Sequence, residues 1–537
     1  MNNLLFSFVV GVFMFVGFNF WAYFLNALNT GVFLGLNFNN LTQTSALLNG
    51  GFYLDWVNVL FFFILCSISV SVYWFAYDYM GGDPFFWRFQ VLLVLFVSSM
   101  VILLFSSNFW WIFLGWDGLG LSSFLLVNYY SASSSWWASI KTYLVNRWGD
   151  GFLVVCLCWF LNVQIFSLKE AALLVPPLIF LLLLNGAFTK SAQFPYGSWL
   201  PVAMAAPTPV SALIHSSTLV TAGVYLVLRF YQEGSTGFDS VVFLCAFLAV
   251  FLGGLGGVTT HDLKKIIAYS TMSQMGFLFI VLLLCGPDLC MMALMFHGIF
   301  KAGLFISVGN YLIYGCQDSR LVTSPAWVSC FNVYFVFHFL LSLVGLGPWL
   351  GHSSKSYFFE VFSVSFSTIL AVLSLIMVMF TSWYSARLAF MVSWGSNGGS
   401  FYSSGFLFKP GFSVWYLIFL NLFLNFFWFN IFFQNVSVND IYLWSIYFSS
   451  GFGLIFGLWI FGGSSLKFLS LHFDFVSSNI FWGWWKFLAK VGVLLEGFQE
   501  NFGLSQTVSF NSLALVNWRV GAWASFVVSL LACLAFM

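Results

Sequence analysis

Asn185-Gly-Ala-Phe-Thr-Lys-Ser-Ala-Gln-Phe-Pro-Tyr-Gly-Ser-Trp-Leu-Pro201, running on through Pro207-Thr-Pro209 to His215, interrupts a long apolar stretch with a lysine and four prolines. An apolar run from Leu173 to Leu184 leads into Lys190 with no charge before it. Proline lacks a backbone donor and its ring clashes with the preceding turn, so no continuous helix crosses Pro195, Pro201, Pro207 and Pro209. A second apolar run, Val210 to Phe230, resumes behind them and carries His215 near its start. The pattern predicts a membrane helix that breaks, with an ammonium at the break. Such breaks persist at membrane depth only where protein or a hydrated cavity surrounds them. In transporters they mark ion paths.

Outward from this break the chain keeps one character. Its 537 residues are 61% hydrophobic and only 6% charged. A soluble domain carries about 25% charged residues, so this is an all-α polytopic membrane protein surrounded by membrane lipids. The net charge of +1 excludes nucleic acid or a polybasic membrane surface as an organising partner. Nine cysteines are scattered, mostly in apolar runs, and read as small core hydrophobes. Cys156 and Cys158 stand about 200° apart round a helix, a poor chelating arrangement. No iron–sulfur, zinc or flavin pattern is visible, so no cofactor or metal is expected in this chain. Met1 to Phe20 lacks a basic n-region and a cleavage site, and reads as a retained membrane segment.

At about 20 apolar residues per span, the sequence predicts about fifteen membrane helices. They fall near 4–27, 56–77, 87–106, 109–130, 138–161, 171–191, 208–231 and 239–258, then near 264–285, 289–314, 329–350, 364–389, 413–433, 444–463 and 514–536. The polar stretch Asn26 to Gly51 leaves room for a short or re-entrant segment. Between Lys467 and Ser512, Trp482, Trp484, Trp485 and Phe487 mix with Lys486, Lys490, Glu496 and Glu500. Trp-rich amphipathic segments favour the interface plane, so a lateral helix is expected there, followed by a last anchor. The chain then divides into N-terminal helices (1–86), a core (87–390), C-terminal helices (391–466), the lateral segment (467–513) and the anchor (514–537).

An ionisable group at a helix centre costs about 2.5–3.5 kcal/mol on insertion scales. Asp117, Arg147, Asp150, Lys190, Arg229, Lys264, Lys265, Lys301 and Arg387 fall within predicted spans, together with His215, His297 and His338, and Lys355 stands between two of them. Charges of both signs through the middle of the chain suggest a polar path across it. Arg147 and Asp150, three apart, share a helix face, which suits either a relay or a pair that satisfies itself. His297 and Lys301, four apart, share a face too, but two bases cannot neutralise each other. Desolvation weakens a buried lysine's hold on its proton and a nearby carboxylate strengthens it. Moving Asp117 relative to Lys190 would therefore load or release a proton, and histidines suit the relay positions between lysines. Gly347, Pro348 and Gly351 before Lys355 form a second interrupted region, and paired broken helices mark inverted-repeat transporters.

These residues carry a specific likeness. Gly115-Trp-Asp-Gly-Leu-Gly-Leu-Ser-Ser123 resembles the Trp-Glu-Gly-Val-Gly-Leu segment of the antiporter-like subunits of respiratory complex I. Asn146-Arg-Trp-Gly-Asp150 is similar to their Asn-Arg-x-Gly-Asp. Lys190 to His215, Asp262-Leu-Lys-Lys-Ile-Ile-Ala-Tyr-Ser-Thr-Met-Ser-Gln-Met-Gly276 and His297-x-x-x-Lys301-Ala match as well. The likeness is strong over 109–310 and thins beyond.

The resemblance implies a proton-translocating subunit of NADH:ubiquinone reductase in the mitochondrial inner membrane, rather than a bacterial plasma membrane. Its neighbours would be other membrane-arm subunits, especially the chain 4-like one. FMN, iron–sulfur clusters and ubiquinone would belong to partner subunits. Carried over by motif, Asp117 is the acidic partner of the central Lys190. His215, Lys265, His297 and Lys301 line the axis, and Lys355 stands on the exit side. Arg147, Asp150, Asp262, His352 and Arg387 are supporting residues. Two departures stand out. Aspartate replaces the usual glutamate at 117, and the acid that follows the exit lysine is absent after Lys355, where His352 is the candidate substitute. The lateral segment, about 45 residues, reaches about 70 Å if wholly helical, short for the family's brace. Two other functions suit the same motifs: a monovalent cation/proton antiporter subunit, and a scaffold that has lost pumping.

Overall fold

The computed structural model describes residues 10–17, 19, 35–37, 51–163, 175–231, 239–312, 330–346, 349–365, 368–393, 411–432 and 447–455. Within them the chain is a helical bundle. The helices are α1 (Trp56–Met80), α2 (Phe86–Phe105), α3 (Phe109–Val127), α4 (Ser133–Asn162), α5 (Pro177–Lys190), α6 (Thr208–Phe230) and α7 (Asp239–Thr259). They continue as α8 (Leu263–Cys285), α9 (Pro287–Leu312), α10 (Cys330–Val344), α11 (Leu350–Ser365), α12 (Thr368–Ser393) and α13 (Phe412–Phe432). Nine helices among the described residues are long and apolar enough to cross a membrane. The predicted lateral helix and anchor at 467–537 lie outside the described residues.

The sequence expectation needs three corrections. The helix expected near 171–191 begins at Pro177, because Pro176 and Pro177 suit only a first turn. The spans expected at 329–350 and 364–389 are three helices, α10, α11 and α12. The extra one, α11, hid behind the polar run His352-Ser-Ser-Lys-Ser356. In the Asn26–Gly51 connection, the strands β1 (Gly35–Asn37) and β2 (Gly51–Tyr53) pair antiparallel, with Leu36 opposite Phe52.

The helices sort into an inner and an outer set. In α1, α6, α8 and α9 almost every residue of the apolar window is buried, whereas α2, α3, α4 and α7 bury about half of theirs. Leu114, Leu121 and Leu125 of α3 and Val91 and Leu95 of α2 face outward. Water does not drive helices together inside a bilayer, so close approach at small residues and internal polar bonds must do so. Gly115 sits against the backbone of Leu103 and joins α3 to α2; Gly186 sits against Leu153 and joins α5 to α4. Gly149 leaves no room for a methyl beside Thr189. That last contact places the next residues along, Asp150 and Lys190, at the same level of the bundle. Ser67, Ser69 and Ser71 bond carbonyls one turn back and so bring no unmet hydroxyl into the core.

Both expected breaks are present. The first separates α5 from α6 and is filled by a short turn at Trp199–Val202 and a 3-10 turn at Ala203–Ala205. The second falls at Gly345, whose φ of 80° lies in the left-handed region that glycine enters without steric cost. Among the cysteines, Cys66, Cys156 and Cys290 are buried as expected, Cys245 and Cys285 are half-buried, and Cys158 is exposed.

Candidate functional site

Lys190 ends α5, where the last carbonyls lack intrahelical donors and the helix dipole favours a cation. The indole of Trp199 donates to the Thr189 carbonyl at 2.8 Å and helps close this end. The Lys190 side chain is fully buried. Its ammonium donates to the backbone carbonyl of Trp116 at 2.5 Å and lies 3.9 Å from the centroid of the Trp116 ring. The same indole donates through Nε1 to Asp150 Oδ1 at 2.8 Å. Arg147 donates to Asp150 Oδ2 at 3.3 Å and also pairs with Asp117.

This corrects the expected pairing of Asp117 with Lys190. Asp117 is bound to Arg147 and its side chain is about one-third exposed. Asp150 is the carboxylate that accepts from the indole lying against the ammonium. The reason is rotational: Asp117 is one residue past Trp116, about 100° round α3, so the tryptophan faces α5 and the aspartate turns toward α4. Arg147 and Asp150 do share a face of α4, and the arginine bridges the two carboxylates.

His215 stands in a π turn, Ile214–Thr218, at the start of α6. The turn is widened by hydroxyls: Thr218 donates five residues back to the Leu213 carbonyl at 2.7 Å, and Ser217 donates to it at 3.0 Å. The imidazole lies against Trp199, and neither ring nitrogen has a partner among the described residues. His297 is likewise buried with both nitrogens unpartnered. One turn on, Lys301 is fully buried and donates to Ser270 Oγ of α8.

On α8 a second correction is needed. Lys265, expected on the axis, is 46% exposed and pairs with Asp262 at 2.6 Å. Its neighbour Lys264 is buried instead and donates to the Ala206 carbonyl at 3.2 Å, beside the first break. The i,i+3 spacing of Asp262 and Lys265 was the available signal for which lysine faces out.

At the second break, Lys355 reaches back from α11 to the end of α10. It donates to the carbonyls of Leu343 and Val344, each at 2.9 Å, and to Thr381 Oγ1 at 3.2 Å. His352 lies 3.2 Å from the Gly345 carbonyl through Nδ1 and stacks on Tyr447. It contacts the break itself, and among the described residues no bond joins it to Lys355. Arg387 of α12 donates to the Gly257 carbonyl at 3.3 Å and meets His261 Nδ1 at 3.4 Å, tying α12 to the end of α7.

Trp116, Ser270 and Thr381 are site residues that the sequence does not single out, since a tryptophan or hydroxyl in an apolar helix has no spacing signature. The partners of Arg229 are equally invisible there. Arg229 pairs with Asp55 at 2.7 Å, bonds Asn58, and donates to the Tyr225 hydroxyl at 3.0 Å, joining α6 to the start of α1.

A family profile described as NADH:quinone oxidoreductase/Mrp antiporter, TM, matches residues 106–381. The chain belongs to that family. A second profile, NADH-Ubiquinone oxidoreductase (complex I), chain 5 N-terminus, matches residues 42–90. The chain is similar to NADH-ubiquinone oxidoreductase chain 5 of Locusta migratoria, 38% identical over 66% of this chain and 63% of that protein. It is 39% identical to chain 5 of Anopheles arabiensis over 59% of this chain and 84% of that protein. With chain 5 of Mytilus edulis the identity is 39%, over 64% of this chain and 62% of that protein. The chain thus spans 63% of the Locusta migratoria protein and 62% of the Mytilus edulis protein. Among solved structures, a chain of the membrane-bound sulfane sulfur reductase, an archaeal respiratory membrane complex, shares the fold. Its TM-score is 0.70 at 17% identity, over 84% of this chain and 92% of that one. A chain of the Mrp complex from Dietzia sp. DQ12-45-1b does so with TM-score 0.64 at 22% identity, over 97% of this chain and 56% of that one.

Proposed function

We propose that this chain is a proton-translocating subunit of a complex I-type membrane arm in the mitochondrial inner membrane. It acts in NADH:ubiquinone oxidoreduction only as a subunit, with the flavin, iron–sulfur clusters and ubiquinone held by partner chains. Other membrane-arm subunits, the chain 4-like one among them, are its neighbours. The names of its relatives and the family match support this reading.

One observation carries it. Lys190, Lys264, Lys301 and Lys355 are buried, and each ammonium is bonded to neutral oxygens: a carbonyl, a hydroxyl, or both. A permanently charged, unpaired lysine is costly at membrane depth, so such a row is suited to groups that give up and regain a proton. Between them, His215 and His297 offer buried ring nitrogens that can accept or donate. Arg147 is the movable element at one end, since it can share itself between Asp117 and Asp150. When it leans toward Asp117, the Asp150 charge is freed to hold a proton on Lys190. When it leans toward Asp150, that hold weakens and the proton passes inward. Lys355, bonded to two carbonyls and a hydroxyl, carries the same logic to the second break.

The test is NADH-driven proton uptake by the assembled complex in proteoliposomes. Lys301→Gln should lower pumping and coupled turnover together, while Lys265→Gln should leave both near wild type. Equal pumping in wild type and Lys301→Gln would overturn the reading and favour a scaffold. A sodium-dependent proton flux without NADH would favour antiport instead.

A further inference from the structure

Trp116 touches both charged groups at the first break, and it does so with three different parts of one residue. Its carbonyl accepts from the Lys190 ammonium at 2.5 Å, its ring face lies 3.9 Å beneath that ammonium, and its Nε1 donates to Asp150 at 2.8 Å. Tryptophan and lysine are both fully buried, and Asp150 is nearly so. An indole needs only one acceptor to be satisfied, and any helix carbonyl would serve. Here the acceptor is a nearly buried carboxylate, Asp150, which also accepts from Arg147. We propose that Trp116 is a positioning residue that keeps Lys190 and Asp150 apart across its ring, so that they interact through space without collapsing into a contact ion pair.

The physical argument concerns reversibility. A lysine and an aspartate in direct contact within a low-dielectric bundle bind each other too firmly to exchange a proton with a third group. An aromatic face attracts an ammonium within about 6 Å of its centroid but takes no proton from it. The N–H bond stabilises the carboxylate's charge from the far edge of the same ring, as hydrogen bonds to ionised carboxylates do. The cation is therefore held weakly, at a set separation from its counter-charge. The close contact of Gly149 with Thr189 brings α4 and α5 to this spacing, and the indole fills what remains.

This inference rests on the proton-carrying reading above, and its test separates the two. The assembled complex is reconstituted with Trp116→Phe, Trp116→Leu or Lys190→Ala, its amount checked on native gels, and NADH-driven pumping is followed against pH. Phenylalanine keeps the ring face and removes the donor to Asp150. The acid limb of its pumping profile should move upward by about one pH unit, the scale on which a hydrogen bond to a charged carboxylate acts, with peak pumping largely kept. Leucine removes both contacts and should lower peak pumping by about tenfold, with the phenylalanine variant as its rescue. An unshifted profile in Trp116→Phe, while Lys190→Ala abolishes pumping, would overturn the inference and leave the proton-carrying reading standing. Equal losses in both tryptophan variants with no change in profile would overturn it as well, reducing the indole to packing. Undiminished pumping in Lys190→Ala would overturn the reading beneath it. If Trp116→Leu does not assemble, the phenylalanine profile alone decides.

Discussion

Lys190 and Asp150, on adjacent helices and at one level of the bundle, are joined through Trp116 rather than by an ion pair of their own. The consequence is a hierarchy between the two acids near the break. Asp150→Asn keeps an acceptor for the indole but removes the charge facing the lysine, and should lower pumping by about tenfold, as expected when an opposite charge at close range is lost. Asp117→Asn removes a partner of Arg147 that makes no bond to the indole or the ammonium, and should cost less. Pumping assays on the two variants, at matched amounts of assembled complex, check the order.

The approach of α4 to α5 gives a second expectation. A methyl at position 149 would overlap the Thr189 hydroxyl, and overpacking of this kind costs about 1–3 kcal/mol. Gly149→Ala should reduce assembly and thermal stability, and Thr189→Ala in the same chain, which removes the hydroxyl but keeps the Cβ, should restore part of the loss. The double-mutant cycle is read from melting of the purified complex. Equal loss in the single and double variants would mean that the two helices do not meet there.

The pairing of Arg229 with Asp55 predicts an asymmetry. Removing one partner of a largely buried ion pair costs about 3 kcal/mol, because the other charge is stranded. Arg229→Leu should therefore destabilise the complex more than Arg229→Leu combined with Asp55→Leu. Thermal denaturation of both variants checks the sign.

Adjacent lysines on α8 should behave differently. Lys265 is half-exposed, and its pair with Asp262 is worth under about 1 kcal/mol, as surface ion pairs are. Lys265→Ala should therefore be close to neutral in pumping and stability. Lys264→Ala leaves the Ala206 carbonyl without its donor beside the first break, and should impair pumping. Activity of the two variants in membranes distinguishes them, and the reverse order would place the axis on the other face of α8.

Much of this was legible from residue types alone. Prolines 195 to 209 cannot lie inside one helix, so the break at Lys190 is visible, and lysines in otherwise apolar runs announce themselves at 190 and 301. What could not be read was rotation. Whether Asp117 or Asp150 acts on Lys190, and whether Lys264 or Lys265 points inward, differ by about 100° round a helix per residue. That angle is set by contacts such as Gly149 against Thr189, not by local propensity. Helix α11 was missed for another reason: its polar first turn, His352 to Ser356, looks like a loop until Lys355 is seen capping the carbonyls at the end of α10. Trp116 reads as one aromatic among many, and only its three simultaneous contacts single it out.

The most direct measurement is the number of protons moved per NADH oxidised by the assembled complex in proteoliposomes, wild type against Lys190→Ala. The account predicts a lower ratio or a joint loss of pumping and turnover when the buried ammonium at the break is removed. An unchanged ratio at unchanged turnover would contradict it.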